Sequence, residues 1–375
     1  MKILINLAIA LCNVVYSFHK LAPTRNRIAM ISRQSDALTL DMRLLKEEIE
    51  HQNPSVEVVT MNRRIPPGLI GKIKYVFYML GPEMHTIATS KVVLLEGYCI
   101  NVSILHHKKD LKVIQLWHAL GVFKRFAYLA VGTEEGHSET LAKAMHMHEN
   151  YDYVICSSEF CRPYYAKAFG YPEEQVKVYP LPRTDLLQSE DYRQETGKRI
   201  LAKYPALEDK KNILYAPTFR SDVDITEHLQ KLFNAFNYEE YNLIVKLHPI
   251  DRTAVNRMEV FDCSEFTTME LFSVSDVLIT DYSSILFEAA VAEMPIYLYT
   301  YDLDEYLARR GFIIDFRKDI PFPMYENPGE LLDSIRRGES SAEVSHEFIQ
   351  RYVEPGTGNT RKLAEFILEQ LSEKA

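Results

Sequence analysis

The chain is poor in cysteine, with five in 375 residues, at positions 12, 99, 156, 161 and 263. The number is odd and no CxxC pair occurs, which argues against a disulfide framework, and Cys156 and Cys161 lack companion ligands at zinc spacing. The five read as reduced, mostly buried thiols. Glycine and proline are scarce at 14 and 17 residues, too few for a low-complexity or collagen-like chain. No apolar run reaches the roughly 20 residues that a spanning helix needs, and no internal repeat is seen. What is there is ordinary for a globular protein: 47% apolar and 25% charged residues. At about 150 residues per domain the length predicts two domains, each with a sizeable core.

Lysine and arginine number 43 against 52 acidic residues, a net charge of −9. An acidic total argues against a nucleic-acid binder. The charge is uneven, however. Residues 1–130 hold 17 basic and 9 acidic side chains, which leaves 26 and 43 for the rest. A basic front half on an acidic protein points to a polyanion or an anionic surface as its partner.

Residues 1–18, MKILINLAIALCNVVYSF, are apolar but interrupted by Lys2, Asn6, Asn13 and Ser17. No clean cleavage site follows, as a signal peptide would need. An interfacial helix fits better, because Lys20, Arg25 and Arg27 follow at once and can meet anionic head groups. A helix buried on the protein's own core is the competing reading. A second segment, 69–80, places Leu69, Ile70, Ile73, Val76, Phe77 and Leu80 at helical spacing, with Lys72 and Lys74 opposite and Arg63 and Arg64 just before.

From residue 27 onward short apolar runs alternate with helical stretches. Strands are expected at 27–32, 56–61, 91–96, 112–117, 152–156 and 176–179, then at 212–216, 242–247, 276–280 and 295–299. Helices are expected near 38–50, 159–169, 226–236, 284–293 and 360–373. Residues 186–211 read as the connection between two series. Strand–helix–strand repetition predicts parallel sheets covered on both faces. The expected class is therefore α/β, with two doubly wound Rossmann-like domains facing a cleft. In such sheets ligands bind beyond the carboxyl ends of the strands.

The informative residues fall there. His118 follows the strand KVIQLW, where it can take a proton near neutral pH. Arg220 ends ILYAPTFR, with Thr218 shaping the turn, and offers a planar fork for phosphate. His248 ends LIVKLHP, and Lys246 lies two residues back on the same strand face. Pro249 is expected to stop that strand. In DVLITDYSSILFEAAVAE, Asp281 turns the chain, Ser283 or Ser284 caps the next helix, and the free amides there favour a phosphate. Glu288 in that helix can accept hydrogen bonds from ribose hydroxyls. Each residue alone reads equally well as structural or as surface charge; their shared place at strand ends does not.

The set QLWHALGVFKR, CSSEFCRPYYAKAFGY, LPRTDLL, YAPTFR, KLHP, TDYSSILFEAA and RGFIIDF, in this order and spacing, resembles the CDP-glycerol glycerophosphotransferase family of teichoic acid synthesis. The resemblance is dense over roughly 90–320, and the length is similar to that of the short priming enzymes. It implies a glycosyltransferase-B-type fold. Residues 1–190 would be the acceptor- and membrane-facing domain, 191–350 the CDP-alcohol donor domain, and 351–375 a C-terminal helix packing back on the first domain. The family's two motif histidines match His118 and His248, its phosphate-binding arginine matches Arg220, its Asp-Tyr-Ser-Ser turn matches Asp281 to Ser284, and the arginine of its Pro-Arg-x-Asp motif matches Arg183. Three positions depart from the family pattern: Ala119 stands for a usual glycine, Glu288 for a frequent aspartate, and Pro321-Phe322-Pro323 for Pro-Gly-Pro.

The implied reaction moves glycerol phosphate from CDP-glycerol to a hydroxyl of a polyprenyl-pyrophosphate-linked saccharide and releases CMP. The expected step is the priming one; a CDP-ribitol-type polyol phosphate transferase or polymerase, or a nucleotide-sugar glycosyltransferase or epimerase on the same fold, is the alternative. His118 is expected as general base, with His248 and Arg220 on the donor pyrophosphate; the two histidine roles are exchangeable at this stage. The expected substrate-binding set is Arg183, Thr218, Arg220, Lys246, Asp281, Ser283, Ser284 and Glu288. No cofactor and no metal site are expected, which leaves room for a loosely bound magnesium. The expected location is peripheral, on the cytoplasmic face of an anionic membrane.

Overall fold

The computed structural model describes residues 2–133, 136–220, 225–248 and 257–372. It divides into two compact units, 1–183 with 356–375, and 184–355. The division thus falls at 183, a few residues before the expected boundary at 190. The expected connection at 186–211 is not a linker. It holds the helix Glu190–Lys203, whose Ser189 side chain accepts from the Tyr192 amide, and it folds as part of the second unit.

The first unit carries six parallel strands: β1 (Arg27–Ser32), β2 (Glu57–Asn62), β3 (Val92–Leu95), β4 (Lys112–Gln115), β5 (Tyr153–Cys156) and β6 (Val176–Val178), in the order β2-β1-β3-β4-β5-β6. The second repeats the scheme with β7 (Lys211–Tyr215), β8 (Tyr241–Val245), β9 (Val260–Phe261), β10 (Val277–Thr280), β11 (Ile296–Tyr299) and β12 (Met324–Tyr325), in the order β12-β11-β10-β7-β8-β9. The ten expected strands are all present within one or two residues. β9 and β12 were not foreseen, because two residues are too few to leave a periodic trace. β1, β3 and β11 are buried along their whole length, which is why they read as continuous apolar runs.

The first unit also holds the helices α1 (Lys2–His19), α2 (Leu40–Gln52) and α3 (Leu69–Tyr78). α2 buries Met42, Leu45 and Ile49 on one face. The C-terminal helix Asn359–Ser372 packs on it, and the Leu371 carbonyl accepts from Lys91 Nζ at 2.9 Å. Strand order reverses between β1 and β3 in the first unit, and between β7 and β10 in the second. Helices diverge at such reversals and open a crevice at the strand carboxyl ends.

Candidate active site

In the first unit β4 ends at Gln115, and the chain turns sharply at Trp117, whose φ of 61° lies in the left-handed region. For a bulky residue that conformation costs about 1–3 kcal/mol and persists only where its surroundings enforce it. Here they do. The Trp117 amide donates to Gln115 Oε1 at 3.0 Å, and Gln115 Nε2 donates to the Gly97 carbonyl at 3.0 Å. The indole packs against Phe126 and Phe169, each with ring centroids 5.4 Å away. The Tyr165 hydroxyl then holds the Ala119 carbonyl at 3.1 Å.

This loop presents His118. Its Nδ1 lies 2.9 Å from the Glu96 carbonyl, just past β3. A carbonyl can only accept, so Nδ1 carries the proton and Nε2 keeps its lone pair. Burial lowers the His118 pKa below the ordinary 6.5; the Glu96 hydrogen bond and the Asp41 charge pull it up, and Arg183 pushes it down. The imidazole is therefore neutral at pH 7, in the tautomer that a general base requires.

Arg183 lies beside it. Asp41 takes its backbone amide at 2.8 Å and its Nε at 2.8 Å, and pairs with its terminal nitrogen as well. That nitrogen also donates to the His118 carbonyl at 3.3 Å. Arg183, expected to touch substrate, is thus anchored by a buried carboxylate and holds the His118 loop. Asp41 and Glu96 were not foreseen; Asp41 acts through a contact 142 residues away that no local signal marks, whereas Glu96 lies just past β3, where the strand-end rule would have found it.

In the second unit Thr218, Arg220 and Asp281 come together where β7 and β10 end. Asp281 is fully buried, and its Oδ1 accepts from the Thr218 amide at 2.8 Å and from its hydroxyl at 2.7 Å. Its Oδ2 pairs with Arg220 at 2.8 Å. The Arg220 fork faces Asp302, with Nε and a terminal nitrogen each 3.0 Å from a carboxylate oxygen. Arg220 is 9% exposed and lies among the rings of Tyr282, Tyr301 and Tyr306. Burial alone would depress its pKa, but Asp281, Tyr301 and Asp302 raise it, so it stays charged. The planar fork foreseen for phosphate is therefore closed on Asp302, and Arg220 ties the ends of β7, β10 and β11 to one another. Asp302 was missed, although it lies three residues past β11 and the strand-end rule would have found it.

The remaining residues separate. Ser283 is half-buried and Ser284 exposed; Ser284 occupies the N-cap of the helix Ile285–Val291 without a side-chain bond to it. The Ser283 hydroxyl accepts from the Ile285 amide at 3.4 Å. Glu288 is buried, 4% exposed, on that helix. His248 is exposed beyond β8, its ring 5.3 Å from Phe219. Lys246 turns away: its Nζ donates to the Ser264 carbonyl at 2.6 Å, so the expected shared face with His248 is not used for a common site. Pro249 lies outside the described residues. A cavity of about 610 Å³ opens at the amino ends of β7, β10 and β11, lined by Asn212, Asp276 and Pro295 among others. It is on the edge of the sheet opposite to these side chains.

Residues 14–369 match the family described as CDP-glycerol:poly(glycerophosphate) glycerophosphotransferase. The teichoic acid ribitol-phosphate primase of Bacillus spizizenii is 32% identical over 362 residues, 93% of this chain and 92% of that protein. The teichoic acid glycerol-phosphate primase of Bacillus subtilis is 29% identical over 328 residues, 85% and 81% of the two chains. A solved structure of the wall teichoic acid polymerase TagF superposes with a TM-score of 0.75 at 21% identity, covering 98% of this chain and 95% of that one. That likeness shows the glycosyltransferase-B-type fold. The chain belongs to the CDP-glycerol:poly(glycerophosphate) glycerophosphotransferase family, the transferases of teichoic acid synthesis.

Proposed function

We propose that the protein transfers a polyol phosphate from a CDP-activated polyol to a hydroxyl of a polyprenyl-pyrophosphate-linked saccharide, as the priming step. The observation that carries this is the His118 imidazole, held neutral with Nε2 free to accept a proton, at the carboxyl end of β4. The acceptor oxygen attacks the phosphorus that bears the polyol, and its proton passes to His118 Nε2. The bond from that phosphorus to the bridging oxygen breaks, and CMP leaves with the electron pair. The phosphorus is shielded by its own oxygens, so positioning and charge neutralisation supply most of the rate. His248 and the Ser283–Ser284 turn are assigned to the donor diphosphate, with Arg220, Thr218 and Asp281 holding that turn in register. Glu288 is assigned to a hydroxyl of the donor. The reading calls for no resident cofactor, and a magnesium loosely bound to the donor phosphates is compatible with it.

Glycerol is the polyol named in the family description. Ribitol is the second reading, favoured by the 32% identity to a ribitol-phosphate primase over nearly its whole length. Priming is supported by the likeness to primases, which this chain matches over 92% and 81% of their length. Incubating the protein with CDP-glycerol, CDP-ribitol and UDP-sugars and a synthetic lipid-linked disaccharide tests all three. Release of CMP with one added unit is expected. A ladder of products would refute priming, and release of UDP alone would refute the transfer itself.

We also assign the first unit to the cytoplasmic face of an anionic membrane. No helix among the described residues is long and apolar enough to cross one. α1 exposes Ile3, Leu4, Leu7, Leu11, Val14 and Phe18, at one-face spacing. α3 exposes Leu69, Ile70, Ile73, Val76 and Phe77, the last at 71%. His19 Nε2 lies 2.8 Å from the Leu80 carbonyl, which ties the end of α1 to the turn after α3. Lys20, Lys72 and Lys74 border these faces. Such apolar surface beside basic residues suits the interface of anionic lipids. Replacing Leu7, Leu11 and Phe77 together by glutamate should lower cosedimentation with phosphatidylglycerol vesicles at least about tenfold, since each side chain contributes roughly 1–3 kcal/mol when buried. Undiminished vesicle binding would remove these helices from the membrane surface.

A further inference from the structure

We propose that Arg33, Arg63 and Arg64 form the seat for the diphosphate of the lipid-linked acceptor, a step that rests on the acceptor reading above. The three follow the carboxyl ends of β1 and β2, beside the reversal of strand order in the first sheet. The Arg63 amide extends the ladder to the Ser32 carbonyl at 3.0 Å, and its guanidinium lies 4.8 Å from the centre of the Tyr78 ring at the end of α3. Arg64 is exposed, with Nε donating to the Gln34 carbonyl at 2.9 Å. Arg33 is half-buried; one terminal nitrogen reaches the Tyr98 carbonyl at 3.4 Å, and its buried Nε has no hydrogen-bond partner. None of the three forms an ion pair among the described residues.

Carboxylates share this corner too: Glu96, just past β3, bonds the Thr39 and Ser32 side chains next to Arg33, and burial raises its pKa. Asp36 accepts from the Arg64 amide at 2.8 Å. Glu83, which accepts from Cys99 Sγ at 3.3 Å, feels the Arg33 charge, and burial pushes its carboxyl up to about 7, so it offsets only part of the arginine's charge at neutral pH. The corner therefore keeps a surplus of guanidinium groups, the donors best matched to paired phosphate oxygens.

Its position gives the assignment its meaning. On one side Arg63 abuts α3, the helix with the exposed apolar face. On the other, Arg33 bonds the Tyr98 carbonyl, while His118 bonds the Glu96 carbonyl two residues earlier. Two residues of chain span at most about 7 Å. An acceptor laid along this edge would place its prenyl chain against α3, its diphosphate on the arginines and its saccharide toward His118.

The test is a titration of the full chain with a water-soluble short-chain prenyl diphosphate, with R33Q, R63Q and R64Q alongside. Each variant should bind it about tenfold or more weakly, the loss expected for a charge-assisted hydrogen bond. R64Q alters an exposed side chain and serves where R33Q fails to fold. CDP should not compete with the prenyl diphosphate. Equal binding by all variants, or displacement by CDP at matching stoichiometry, would overturn the seat. So would a parallel loss of binding to phosphatidylglycerol vesicles, which would make the arginines headgroup ligands. A wild-type protein that binds the prenyl diphosphate through these arginines yet transfers nothing to a lipid-linked saccharide would sink the acceptor reading and leave the seat in place.

Discussion

His118→Ala is expected to lower turnover by about 10²–10⁴-fold, the range for a lost general base, with affinity for the CDP-activated donor unchanged. The geometry argues for this histidine over His248. His118 has its tautomer set by the Glu96 carbonyl and its loop held by Arg183, whereas His248 is exposed, with its ring beside Phe219. The pH dependence adds a second readout. Neutral imidazole is the active form, and burial lowers the His118 pKa below 6.5. Turnover should therefore be flat above pH 6.5 and fall only below it, as the ring gains a proton. The limb should vanish in His118→Ala. Loss of donor binding with turnover at saturating donor preserved would show that His118 serves the donor instead.

Arg220→Ala should be the most destabilising single change in the second unit. It leaves Asp281 buried and Asp302 half-buried without their counter-charge, and breaking a buried pair on one side costs about 3–5 kcal/mol. For a unit of this size that corresponds to a fall in Tm of roughly 6–20 °C. Donor affinity should fall as well, because Thr218 and the Asp281 turn lose their common anchor. The double variant Arg220→Ala/Asp302→Asn should be less destabilised than the two single losses added together, since the carboxylate left unpaired is removed. An Arg220→Ala protein that melts like the wild type but no longer binds donor would mean that the fork opens to phosphate when the ligand arrives.

These two residues mark how far local sequence carries. The run KVIQLW followed at once by His118 identifies both a strand and a histidine beyond its end, and YAPTFR does the same for Arg220. Neither run shows what each side chain touches. Asp41 sits in α2, 142 residues before Arg183, and Asp302 lies past β11, far from Arg220 in the chain; both pairings exist because parallel strands bring their carboxyl ends to one edge. Lys246 illustrates the converse. Its spacing from His248 is right for one strand face, but β8 ends at Val245, and past the strand the lysine reaches the Ser264 carbonyl instead.

The left-handed Trp117 is likewise invisible in sequence, since only the surrounding Gln115, Phe126 and Phe169 contacts enforce it. The apolar faces of α1 and α3 were legible as helical stripes, yet their exposure was not. A stripe reads the same whether it meets a core or a lipid, and only the packing of the rest of the unit decides which.

By itself, then, the chain's pattern determined the α/β class, ten of the twelve strands among the described residues and the family, because periodicity and short strand-end motifs are local properties. The tertiary structure alone decided that Arg220 and Arg183 are anchors, that His118 is a neutral imidazole with Nε2 available, and that three arginines with no ion-pair partner among the described residues lie between an apolar helix and that imidazole. Hydrogen-bond partners, burial and charge balance depend on residues far apart in the chain, and no window along it contains them.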